Sequence, residues 1–210
     1  SWRQLNLGAN QWARELSDSG AAGGSFVAIA IPNSHDLVLS VLGCWKIGAV
    51  PITVRWDLPE WERSRLLAVI EPTVVIDEDN RSAFAAAASR RADCAVPEMV
   101  SPIVNGICSS GSTGLPKVIL DTQPALWTPR QSEPFFAQWA AVPRPQTIMV
   151  PAPMYHTNGF NTLMYLLGGD RLVVLEKFDA ALALSTIEKH RITNFLSLIH
   201  ISEPTRQAEI

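Results

Sequence analysis

With 210 residues, 47% of them hydrophobic and 18% charged, the chain has ample material for a buried core and is too apolar for a disordered or polyelectrolyte role. A net charge of −3 without an extended basic run excludes a non-specific nucleic-acid surface, which needs clustered Lys and Arg; the Arg90-Arg91 pair reads as a solvated helix face. The three cysteines, Cys44, Cys94 and Cys108, are far apart and form no CxxC or Cys/His cluster, so no metal site is identifiable and reduced thiols in a cytoplasmic protein are expected. The most apolar run, 37–52, is interrupted by Lys46 and Pro51 and is no membrane span. There is no signal-peptide pattern, and the chain opens on Ser1 in mid-helix, which leads us to expect a natural N-terminus upstream.

In chain order, Leu5, Ala9, Trp12 and Leu16 mark one face of a first helix, which ends in the loose run SDSGAAGG. SFVAIAI reads as a buried strand closed by Pro32. Asn33 and Ser34 offer an N-cap to a helix over 35–47, stopped by Gly48. AVPITV is a second strand, Pro59 opens a helix with Leu66, Leu67 and Ile70 on one side, and PTVVID is a third strand. An Ala-rich helix is expected over 82–92. After a glycine-rich loop come a strand in TIMVPAP, a helix over 162–167 and a strand in RLVVLE. A last helix is N-capped by Asp179, with Ala180, Leu184 and Ile187 on one face. Strands alternating with helices predict parallel pairing with helices on both faces. No repeat of solenoid period occurs.

The loop CSSGSTGLPKVIL, 108–120, sets four hydroxyls, two glycines and one lysine between apolar runs. Glycines let successive N–H groups converge on one anion, hydroxyls add donors, and a lysine supplies charge, the requirements of a phosphate loop. A Walker A reading fails: counted from Gly111, Pro116 occupies the second glycine position and Val118 the hydroxyl position after Lys117. No Rossmann glycine triplet exists. A Gly/Ser-rich surface turn is the competing account.

The pattern S-S-G-S-T-G-x-P-K closely resembles the phosphate loop of the adenylate-forming enzymes: acyl-CoA synthetases, luciferases and peptide-synthetase adenylation domains. The flanks are similar too. FVAIAIPNSHDLVLSVLGCWKIGAVPITV resembles the family's opening strand–helix–strand unit, PAPMYHTNGF its next motif, and FDAALALSTIEKHRIT a later helix and turn. The run PKVILDTQPALW is closer to bile-acid and long-chain fatty-acid CoA ligases, whereas Val118 and Gln123 stand where the family often has Gly and His.

This resemblance implies an α/β fold: part of an N-terminal adenylate-forming domain over 1–195, with layered parallel sheets and helices on both faces. It implies that Ser109, Ser110, Gly111, Ser112, Thr113, Gly114 and Lys117 hold the phosphates of ATP. It places His156 near the reacting carboxylate, with Asn158, Gly159 and Phe160 on the acyl side; a His closing a strand-to-helix turn is the plainer alternative. ATP, Mg²⁺, coenzyme A and a small carboxylic acid are the implied reactants. A nucleotide- or acyl-binding module without turnover, and an adenylation domain loading a carrier protein, are the other two readings. The family's later Tyr-Gly-x-Thr-Glu motif does not occur in these 210 residues, so the chain alone is expected to be inactive. The tail 196–210 resembles translated read-through of a sequencing-library adapter, and the natural sequence is expected to depart from this one near Leu196.

Overall fold

The computed structural model describes residues 1–109, 116–128 and 143–195. They fall into two units, Ser1–Leu126 and Trp127–Ile210. The proposed tail over 196–210 lies outside the described residues.

Unit 1 holds α1 (Trp2–Asp18), β1 (Phe26–Ala30), α2 (His35–Lys46), β2 (Val50–Thr53), α3 (Glu60–Ile70), β3 (Val74–Asp77), α4 (Arg81–Ala88), β4 (Asn105–Ser109) and β5 (Lys117–Asp121). The sheet order is β3-β1-β2-β4-β5, parallel throughout except for the antiparallel pair β4–β5. Strand alternation divides the core. Ala28, Ala30, Val50, Ile52 and Val54 face Leu66 and Ile70 of α3. Val27 and Ile29 point the other way and are equally buried, on the side where α2 touches β1 and β2 and is itself covered by α1. Each Val, Leu or Ile side chain among them contributes about 1.5–3 kcal/mol on removal from water.

Helix ends follow local chemistry. The Ser34 hydroxyl accepts from Leu37 N at 3.2 Å to start α2, and Gly48, at φ +71°, ends the turn after it. The expected helix over 82–92 stops early, at Ala88. The side chains of α1 hold the segment after Ala88 in a non-helical course by binding its carbonyls: Gln11 Nε2 donates to Ser89 O and Arg91 O, and Arg14 donates to Ala92 O, Cys94 O and Ala95 O. Of the helical tryptophans, Trp12 is buried, Trp45 donates from its indole to Val104 O at 2.7 Å, and Trp2 is exposed.

Unit 2 holds β6 (Thr147–Val150), α5 (Thr157–Phe160), α6 (Thr162–Leu167), β7 (Arg171–Val174), α7 (Ala180–His190) and β8 (Asn194–Phe195). Its three strands are parallel in the order β7-β6-β8. Asp179 caps α7 as the sequence predicts, its carboxylate accepting from Leu182 N at 2.7 Å. The buried face of α7 differs from the expected one. Ala183 and Thr186 are buried, with Ile187 partly covered, whereas Leu184 is 69% exposed. Small side chains at 183 and 186 let the helix lie close to Met149 and Leu175, which turns the larger leucine outward.

Candidate functional site

The glycine-rich loop leaves β4 after Ser109 and returns at Lys117, and these two residues form the last register pair of an antiparallel hairpin. The two stems, β4 and β5, stand at one edge of the sheet as the sequence reading expects, and the expected solvent-facing hydroxyls between them lie outside the described residues. Ser110, Gly111, Ser112, Thr113 and Gly114 lie outside the described residues.

Why the hairpin sits where it does follows from its alternating pattern. Cys108, Val118 and Leu120 pack against the α3 side of the core, while Ser109, Ile119 and Lys117 take the other face. Gly106 permits this docking: a Cβ there would fall 2.3 Å from Ile52 Cδ1 and 2.9 Å from Leu120 Cδ2. The apolar face thereby fixes the stems of the loop, leaving Ser109 half-buried and Lys117 exposed.

Cys108, next to the loop, is half-buried. Burial pushes its thiol up to about 12, so the thiolate is absent near neutrality. Cys44, fully buried in α2, is shifted upward for the same reason.

In unit 2, His156 is the N-cap of α5, with extended backbone at φ −112° and ψ 156°. Its N–H donates to Pro153 O at 3.1 Å and its carbonyl accepts from Phe160 N at 2.9 Å. The imidazole is exposed and lies against Tyr155, ring centroids 4.6 Å apart. Gly159 allows the turn to close, because a Cβ would meet Pro153 O at 2.2 Å and Met154 Cα at 2.8 Å. Thr162 Oγ1 donates to Gly159 O at 2.5 Å, tying α5 to α6. Asn158 is half-buried, and Phe160 is buried among the apolar residues of the unit. His156, Asn158, Gly159 and Phe160 thus share one turn. They belong to unit 2, and Ser109 and Lys117 to unit 1.

An ion pair that the sequence did not reveal supports this turn's strand. Asp170, whose side chain is 1% exposed, accepts from Arg144 Nη2 at 2.7 Å, from Arg144 Nε at 3.2 Å and from Gln146 N at 2.7 Å. Arg144 also donates to Gly168 O at 3.0 Å. The pair locks the entry of β6 to the turn before β7, across 26 residues. Among the described residues no group of three or more His, Cys, Asp and Glu side chains converges to hold a metal ion. No helix among them is long and apolar enough to cross a membrane.

Over residues 1–199 the chain matches the family model described as AMP-binding enzyme. Indoleacetate–CoA ligase of Aromatoleum aromaticum is 29% identical over 92% of this chain and 43% of that protein. A dimodular nonribosomal peptide synthase of Bacillus subtilis is 32% identical over 60% of this chain and 6% of its own length. In structure, the N-terminal domain of FACL13 from Mycobacterium tuberculosis superposes with a TM-score of 0.79 at 23% identity, covering 91% of this chain and 54% of that one. That likeness is one of fold: the α/β arrangement of an adenylate-forming N-terminal domain. The chain spans less than half the length of either curated relative.

Proposed function

Because the chain belongs to the AMP-binding enzyme family, we propose that it carries the pyrophosphate end of an acid–thiol ligase site, which activates a small carboxylic acid with ATP in the cytoplasm. A carboxylate oxygen forms a bond to the α-phosphorus of ATP. The bond from that phosphorus to the β-phosphate oxygen breaks, and pyrophosphate departs with the electron pair. A thiol sulfur then attacks the acyl carbon, loses its proton, and expels AMP. Coenzyme A is the thiol we favour, because indoleacetate–CoA ligase aligns with nearly the whole chain. The match to a peptide synthase supports a carrier-protein thiol as the second reading.

The observation that carries the proposal is the hairpin itself. Its apolar face is buried and fixes both stems, while Ser109 and Lys117 pair at its mouth. Lys117 and the donors of 109–114 would meet the charge that builds on the departing phosphates, and fixed donors of this kind act without reorganising. His156 would donate to the carboxylate of the acid, with Asn158, Gly159 and Phe160 shaping its surroundings. Mg²⁺ would arrive with the nucleotide, since the described residues offer it no carboxylate cluster.

Titration of the 210-residue chain with ATP, and separately with pyrophosphate, tests this directly. Lys117→Ala should weaken both by about 1.5–3 kcal/mol, the scale of a hydrogen bond to a charged group, while His156→Ala leaves both unchanged. Equal binding to parent and Lys117→Ala would sink the assignment. The chain alone is expected to form no thioester, and thioester formation above background by the purified protein would refute that part.

A further inference from the structure

On the α3 side of the first sheet, a row of register partners crosses three strands: Ile52 of β2, Gly106 of β4 and Leu120 of β5. The middle place has no side chain, and its neighbours lean into it. A Cβ on Gly106 would fall 2.3 Å from Ile52 Cδ1, 2.9 Å from Leu120 Cδ2 and 3.1 Å from Val118 Cγ1. These are side-chain ends, yet they have little freedom to withdraw. Ile52 is fully buried in one cluster with Leu66 and Ile70 of α3, and a valine moves its methyls only by turning χ1. The seating of β4 and β5 on β2 therefore depends on an empty position at 106.

The place of that gap matters for the loop. Two bonds fix the base of the hairpin: Val104 N donates to Asp121 O at 3.0 Å, and the Trp45 indole of α2 donates to Val104 O at 2.7 Å. Gly106 lies two residues beyond that base, and Ser109, paired with Lys117, lies five residues beyond it. Along an extended strand, a tilt about the base is larger at the mouth than at the glycine. We propose that Gly106 is a positioning residue for the phosphate grip, an assignment that rests on the phosphate reading of the hairpin proposed above. By receiving Ile52 Cδ1 where a β-carbon would stand, it sets the height at which Ser109 and Lys117 meet the phosphates. With a methyl group at 106, the contact to Ile52 must open from 2.3 Å to the 3.4 Å of ordinary contact. A shift of that size at the mouth takes a hydrogen bond of about 2.9 Å beyond bonding distance.

Calorimetric titration of the full chain with pyrophosphate, joined to thiol labelling near pH 8 in a Cys94→Ser background, provides the test. Gly106→Ala should weaken pyrophosphate binding by about tenfold or more, the effect of losing a hydrogen bond to a charged group. It should also speed the labelling of Cys108, which shares the strand face of Gly106, while Cys44 in α2 stays protected. Ile52→Val removes the Cδ1 atom itself. Added to Gly106→Ala, it should recover most of the lost affinity and the slow labelling of Cys108. Alone, it should lower Tm and leave the affinity unchanged. A merely structural role gives the opposite pattern, each substitution adding its own loss. Gly106→Ala that binds like the parent while Lys117→Ala binds weakly, or a double variant no better than Gly106→Ala, would overturn the positioning role alone. So would a Gly106→Ala chain that releases Cys44 together with Cys108, because the glycine would then be a requirement of the whole fold. Equal binding by the parent and Lys117→Ala would overturn the phosphate reading and the positioning role with it.

Discussion

Replacing Gly159 by Ala adds a single methyl group, yet the structure leaves no place for it. The new Cβ would stand 2.2 Å from the Pro153 carbonyl oxygen, 2.5 Å from its carbon and 2.8 Å from Met154 Cα. All three are backbone atoms, so no rotamer change relieves them. Ordinary contact begins at 3.4 Å, and the 153–154 turn must retreat by about 1.2 Å. The cost should reach about 3 kcal/mol, the upper part of the range for overpacking. For a chain of this size that is a fall of roughly 6–12 °C in Tm. Gly8→Ala is the matched control. Its Cβ meets only the methyl ends of the Leu39 side chain, Cδ2 at 3.2 Å and Cδ1 at 3.5 Å, and once that side chain shifts by a few tenths of an ångström, alanine in the interior of α1 should stabilise by about 0.5–1 kcal/mol. Scanning calorimetry on the two variants should show Tm moving in opposite directions. A Gly159→Ala melt within about 1 °C of the parent would refute the reasoning. Under the proposed role of His156, the same shift in a catalytically complete protein should displace it, and a misplacement near 1 Å should lower turnover by about 10²-fold.

In such a longer protein, Lys117→Ala should raise the KM for ATP and His156→Ala should act on the acid, which pyrophosphate-release kinetics with each substrate varied would separate. Asp170→Ala strands the Arg144 guanidinium without its carboxylate and should cost about 3–5 kcal/mol in urea unfolding. Burial raises Cys108 to about 12 from an ordinary value of 9.0, and burial with the Asp170 charge raises Tyr165 to about 12 from 10.0. Both groups stay neutral in the folded chain while the unfolded chain ionises. Stability should therefore be full below about pH 9 and fall as pH climbs toward 12, and urea midpoints measured at neutral pH and above pH 10 would check the sign. Thiol titration near pH 8 should label exposed Cys94 well ahead of Cys44 and Cys108.

The features legible in the sequence were those set by neighbours along the chain. Ser34 and Asp179 announce their helices because an N-cap is a local bond, and PTVVID or RLVVLE announce strands because alternation and buried runs are local patterns. The hairpin was legible for the same reason, with two apolar stems around a segment too rich in Gly and Ser to bury. What the sequence hid depended on partners far away. The face of α7 is chosen by Met149 and Leu175, which favour the close approach of Ala183 over the larger area of Leu184. The end of α4 is decided by Gln11 and Arg14, some 80 residues earlier. The Arg144–Asp170 pair has no local signature at all: one member follows a proline and the other follows two glycines. At the candidate site the residue types could be read directly, but the support of His156 by the Gly159–Pro153 approach needed coordinates.

The order in which the strands join the first sheet has a consequence for how the protein is made. β1, β2 and β3, with α1 to α4, use only residues 1–88, and they pair among themselves as β3-β1-β2. A nascent chain halted after α4 already has the three strands of this platform, while Gln11, Arg14 and Trp45 still await their acceptors at 89–104. β4 and β5 emerge later and add successively to the free side of β2. The loop over 110–115 is therefore grafted onto a finished scaffold by two stems that carry their own apolar anchors. Its composition and length can drift without reopening the core, because lengthening a flexible connection costs only about 0.6 kcal/mol per doubling. The proposed phosphate chemistry would then sit on the last-added edge, outside the β3-β1-β2 platform.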